Sequence, residues 1–146
     1  VGELLYQAEI HFTKVVEYGV SIEAISSGDL GVPPEGARFD QTFHGDLHGP
    51  RLNGTISGID YLYIRADGRF QLHIHAQITT DDGVNISFMS DGISIQEANA
   101  SEAQLRSAIS LFTSSSQYAW LNQVQAWALG TIDIEKGQAT VMAYEV

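Results

Sequence analysis

Cysteine is absent from the 146-residue sequence. Its absence excludes disulfides, zinc–thiolate sites, iron–sulfur clusters and thiol nucleophiles. Cations are scarce, with 7 Lys and Arg against 18 Asp and Glu, for a formal net charge of −11. A phosphate backbone and an anionic membrane surface both reward clustered Lys and Arg, so neither nucleic acid nor a membrane is an expected partner. No apolar run approaches the ~20 residues of a membrane-spanning helix. The sequence also lacks a P-loop, a dinucleotide fingerprint and a nucleophile elbow. What is present is a 44% hydrophobic composition with 17% charged residues, enough apolar material for a packed core. The length fits one domain over residues 1–146. With no signal-peptide pattern in view, the expected location is cytoplasmic. Sequons at Asn53, Asn85 and Asn99, and a chain that starts at Val1 and leaves room for a trimmed leader, keep secretion as the alternative.

Turn chemistry punctuates the chain. Asp67-Gly68, Asp82-Gly83 and Asp91-Gly92 supply the dipeptide that tight hairpins favour, and Glu135-Lys136-Gly137 reads as a fourth turn. Between turns the residues alternate. Phe70, Leu72, Ile74, Ala76 and Ile78 occupy one parity, while Gln71, His73, His75, Gln77 and Thr79 occupy the other, which is a long strand with one apolar face. Leu4 to Phe12 and Val84 to Phe88 repeat the pattern. Arg38 to Arg65 divides at its glycines into two or three short strands. Trp120 to Ile134 reads as one long strand with Ala139 to Val146 as its hairpin partner. Ser101 and Gln104 have capping-box spacing, so a helical turn is expected before a strand through Ile109 and Leu111. Gly31 to Gly36, with Pro33 and Pro34, is a loop. Many consecutive hairpin-linked strands predict an all-β fold with at most one short helix. Closure removes unpaired edges, so a closed or nearly closed antiparallel β-barrel of meander topology is favoured. Small barrels of this kind hold one ligand in the lumen or mouth.

Five histidines, His11, His44, His48, His73 and His75, carry any metal or acid–base proposal. His73 and His75, two apart on a strand, share a face. With His44 or His48 they outline a metal site, but a Glu of the kind such a site needs is missing after them. Solvated surface imidazoles are the commoner outcome, and no metal ligand set is assigned. Without a metal, a His pair in a lumen suits proton transfer; if the apolar parity faces inward, both lie outside. Asp60 interrupts the apolar parity of Ile56, Leu62 and Ile64, and is therefore either a partnered buried carboxylate or a catalytic one. Arg38, Arg51 and Arg65 are candidates for binding an oxyanion, with surface ion pairs as the alternative. Tyr61, Tyr63, Tyr118, Trp120 and Trp127 are candidates for a flat organic ligand or for ordinary core.

Several fragments occur in a characteristic order: Gly36-Ala37-Arg38, the run His48-Gly49-Pro50-Arg51-Leu52-Asn53-Gly54, Gly58-Ile59-Asp60-Tyr61, Ala66-Asp67-Gly68, Thr80-Asp81-Asp82-Gly83 and Tyr118-Ala119-Trp120-Leu121-Asn122. Together they resemble the domain of unknown function 3237 family of bacteria and fungi, over nearly the whole chain. The resemblance implies a small antiparallel β-barrel similar to allene oxide cyclase and dirigent proteins, whose relatives guide cyclisations by shaping a bound substrate. It implies polar motif positions at Arg38, Asp60, Asp67 and Asp82. Where many members carry Leu-Asp-x-Arg, this chain has Leu72-His73-Ile74-His75, and the retained polarity favours a pocket-facing pair.

The expected function is therefore a cofactor-independent lyase, isomerase or cyclase acting on a small hydrophobic, oxygenated metabolite held in the lumen. His73 or His75 would move a proton, and Arg38 and Asp60 complete the catalytic set. Tyr61, Tyr63, Arg65, Tyr118 and Trp120 would bind substrate. The alternatives are a non-catalytic binding barrel and a metal-dependent His-rich barrel. Exposed strands make a homodimer or homotrimer the expected assembly.

Overall fold

Eight strands follow one another in chain order and close on themselves. The computed structural model describes residues 2–96 and 100–146. The strands are β1 (Leu4–Glu17), β2 (Ala37–His48), β3 (Gly54–Ile64), β4 (Phe70–Thr80), β5 (Asn85–Gln96), β6 (Glu102–Phe112), β7 (Gln125–Asp133) and β8 (Gln138–Glu145). Each pairs antiparallel with the next, and β8 returns to β1, giving a closed meander barrel. Alternation along each strand sends one parity inward, as in Leu72 and Ile78 on β4 and Ile56, Leu62 and Ile64 on β3, all buried.

Asp67-Gly68 and Asp82-Gly83 form hairpin turns, with φ of 90° at Gly68 and 87° at Gly83, and Gly137 likewise turns at 64°. Asp91-Gly92 does not turn, because it lies inside β5. Gly92 serves close approach instead: a Cβ there would stand 2.1 Å from the Arg106 carbonyl oxygen and 2.5 Å from the Ser107 Cβ. The helical turn expected after Ser101 is also corrected, since Glu102 onward is strand. Ala103, Leu105, Ser107, Ile109 and Leu111 form an inward row of period two, and that row prevails over the capping-box spacing. Trp120 to Ile134 is not one strand. Ala119–Gln123 is a 3-10 turn, and β7 begins at Gln125. The region from Arg38 to Arg65 is two long strands, because Gly58 is accommodated inside β3. The sequon at Asn99 lies outside the described residues, and Asn53 spends its amide on the backbone of Gly49.

The two ends of the barrel differ. At one end Leu47, Leu52, Ile86, Leu111 and Leu121 are buried against each other, with Leu121 delivered by the 3-10 turn. At the other, a short helix, α1 (Ile22–Ser26), lies beside the opening. Ser21 caps α1 by accepting the Ala24 N–H at 3.2 Å, and Ile25 is its buried residue.

Candidate active site in the barrel lumen

A cavity of about 650 Å³ opens at the α1 end. Its existence follows from unequal side-chain size around the wall. The inward positions of β2 to β4 are large, including Phe39, Phe43, Ile56, Leu62, Leu72 and Ile78. Those of β5 to β8 are mostly small: Ser90, Ser94, Ala103, Ser107, Ala126, Ala128, Ala139 and Ala143 are all buried. Eight strands enclose a lumen that side chains just fill when they are large, so a half-ring of Ala and Ser leaves space.

Asp60 stands in this cavity with 7% of its surface exposed. The β3–β4 ladder runs without a break to Asp60↔Ile74 and resumes only at Tyr63↔Gln71. In the gap the Asp60 carboxylate substitutes for the missing ladder acceptor, and its Oδ1 takes the His73 backbone N–H at 3.0 Å. Burial among apolar neighbours pushes the carboxyl up to about 6, against the opposing effect of the His73 N–H and charge. Asp60 is thus a carboxyl that gains and loses its proton near neutrality.

Other lumen groups carry little signal in the sequence. Gln41 sits beside Asp60 in the β2–β3 register and lines the cavity. Ser90 follows Asp60 and Ile74 in the same cross-strand row, and Ser94 and Ser107 add hydroxyls nearer the mouth. Tyr6 is buried on the inner face, and burial pushes its phenol up, so it stays neutral. The mouth is acidic, with Glu23, Asp133 and Glu135 among its lining.

The remaining expected site residues lie elsewhere. His73 and His75 point outward, because the apolar parity of β4 faces in. The expectation of a pocket-facing pair is therefore corrected. On the outer face His73 Nδ1 is 2.6 Å from Asp91 Oδ1, and His73 Nε2 is 3.1 Å from His75 Nε2, with Tyr61 packed edge-on to His75 at 5.8 Å. Arg38 forms a surface ion pair with Asp40 at 2.9 Å. Arg65 pairs with Asp67 at 2.7 Å across the β3–β4 turn. Tyr63 donates its hydroxyl to the Glu35 carbonyl at 3.1 Å, outside the barrel. Tyr118 donates to Asp82 at 2.8 Å, and Trp120 lies 3.8 Å under the Arg51 guanidinium, both at the closed end. Hydrogen bonds from Thr80 and Tyr118 hold the Asp82 carboxyl below its usual range, and the Arg69 N–H, with Arg65 beside it, does the same for Asp67. Of the polar family positions, Asp60 alone reaches the cavity. His11 and His44 stack at 5.6 Å on the outer face of β1 and β2, away from His73 and His75. Among the described residues no cluster of three His, Asp or Glu side chains has metal-binding geometry.

A family model described as "Protein of unknown function (DUF3237)" matches residues 10–146. Hydroalkoxylation enzyme phnH of Penicillium herquei is 36% identical over 84 residues, which is 57% of this chain and 50% of that enzyme. The match therefore spans about half the length of that relative. Among solved structures, a β-barrel-like protein from Acinetobacter baumannii superposes with a TM-score of 0.78 at 21% identity, covering 98% of this chain and 93% of that one. An enzyme from Penicillium herquei superposes with a TM-score of 0.69 at 25% identity, covering 99% of this chain and 92% of that one.

Proposed function

From a chain that belongs to the DUF3237 family of proteins of unknown function, we propose a cyclase that adds a substrate hydroxyl across a carbon–carbon double bond of the same molecule. The observation that carries this reading is Asp60, a carboxyl pushed up to about 6 inside an otherwise apolar cavity. The hydroalkoxylation activity named for the Penicillium herquei relative supports the reaction type.

The reaction is an isomerisation. Protonated Asp60 delivers its proton to one alkene carbon. The substrate oxygen bonds to the other carbon, and its own proton passes to the Asp60 carboxylate. One π bond and one O–H bond break, a C–H and a C–O bond form, and the product has the mass of the substrate. No oxidant, reductant or cofactor enters the balance. The lumen folds the chain of the substrate so that oxygen and alkene meet, the proximity contribution to the rate. The substrate is a small hydrophobic, oxygenated molecule.

The test is incubation with 2-prenylphenol and chromatographic detection of the isomeric cyclic ether. Asp60→Asn is expected to lower the rate by about 10²–10⁴-fold, the usual contribution of a positioned proton-transfer group. Because the acid form is reactive, kcat/KM should fall as pH rises through about 6. A rate that rises with pH, or an Asp60→Asn variant of full activity, would overturn this role. Tight binding of the phenol with no isomer formed would favour the binding-barrel reading.

A further inference from the structure

Ser90 Oγ is buried without any hydrogen-bond partner, the one side-chain atom so found among the described residues. Ser90 is 2% exposed and lines the cavity. An unpaired buried hydroxyl carries a desolvation penalty, and native structures rarely leave one without a reason. The cross-strand row fixes the space that the residue faces. Asp60 pairs with Ile74, and Ile74 with Ser90, so Asp60 and Ser90 face the same space from strands two apart, about 10 Å between backbones.

A second observation comes from charge. The lining includes four carboxylates, Glu23, Asp60, Asp133 and Glu135, and no Lys, Arg or His among the described residues. Lys136, in the β7–β8 turn, does not line the cavity, and its backbone N–H is held by Asp133 at 3.0 Å. An anion entering such a site loses hydration, meets like charge and finds no cation in the lining.

We propose that the cavity takes an uncharged, hydroxyl-bearing hydrophobic molecule and anchors that hydroxyl on Ser90, while excluding carboxylates and phosphate esters. Serine both donates and accepts, so it satisfies a hydroxyl in either sense. The anchor rests on the cyclase reading only in that the same bound molecule would meet Asp60; binding can be measured without turnover.

The experiment uses naphthalene, 1-naphthol and 1-naphthoate with the full chain, by calorimetry at neutral pH. Wild type is expected to bind 1-naphthol at least ~10-fold more tightly than 1-naphthoate. Ser90→Ala should weaken 1-naphthol by roughly 5-fold or more and leave naphthalene within about twofold. Its thermal midpoint should not fall, since the lost hydroxyl was unpaired; should it misfold, Ser90→Cys gives the same comparison with a weak donor of similar shape. Equal affinity for 1-naphthol and 1-naphthoate would overturn the exclusion of anions. Unchanged 1-naphthol affinity in folded Ser90→Ala or Ser90→Cys would overturn the anchor. Asp60→Asn separates the two readings: it should keep 1-naphthol affinity while losing cyclisation. Absence of cyclisation by the wild type, with these binding differences intact, would fell the cyclase reading alone.

Discussion

Protonation of Asp60 is coupled to the stability of the fold. The native carboxyl holds its proton up to about pH 6, whereas the unfolded chain releases it near the ordinary value of 3.8. Between those values the native state binds more protons than the unfolded state, so stability falls as pH rises from about 4 to 6, and the full penalty persists above. Asp60→Asn keeps an acceptor for the His73 N–H and removes the buried charge. At pH 7 it should raise stability by about 3 kcal/mol, and by little at pH 4, as denaturant titration at the two pH values would show. A variant less stable at pH 7 would contradict the burial argument. Asp60 was readable in the sequence because a carboxylate in an apolar parity is conspicuous. Ser90 and Gln41 were not, since small or uncharged polar residues in a strand carry no mark of the face they occupy. Parity alone placed His73 and His75 outside, and the structure sides with parity over the pocket-facing placement that the family motif favoured. Replacing both with Ala should leave 1-naphthol affinity within about twofold, measured by the same calorimetry.

At the scale of elements, the hairpin dipeptides located two of the turns correctly and misled at the third. Reading Asp91-Gly92 as a turn cut β5 in half and hid the inward row Phe88, Ser90 and Ser94. The physical distinction is that Gly68 and Gly83 need positive φ, while Gly92 needs an absent Cβ. Gly92→Val would drive a branched side chain into the Arg106 carbonyl and Ser107 Cβ. The expected loss is about 2–3 kcal/mol, with the β5–β6 amides losing hydrogen-exchange protection first. Retained protection there would show that the added side chain is accommodated without parting the two strands, against the close-approach argument. Helix α1 and the 3-10 turn at Ala119–Gln123 escaped the sequence reading because each has only five residues, too short for helical periodicity to register.

At the scale of the molecule, closure was legible from repeated hairpins, but the cavity was not, because empty volume depends on which residues meet across the lumen. The half-ring of Ala and Ser on β5 to β8 identifies it only once register is known. A ligand held there adds to global stability by mass action: 1-naphthol at 100 times its Kd should stabilise the chain by about 2.7 kcal/mol, read as a rise in Tm. Ser90→Ala at the same absolute concentration should show a smaller rise. A ligand-independent Tm would argue that the cavity is not the binding site.

The packing of Leu47, Leu52, Ile86, Leu111 and Leu121 at the far end gives the lumen a floor as well as walls. Molecules leave by the way they came in. For the cyclase proposed above, product and substrate would contend for the same doorway, so added cyclic ether should act as a competitive inhibitor, and turnover should slow as product accumulates even while substrate is plentiful.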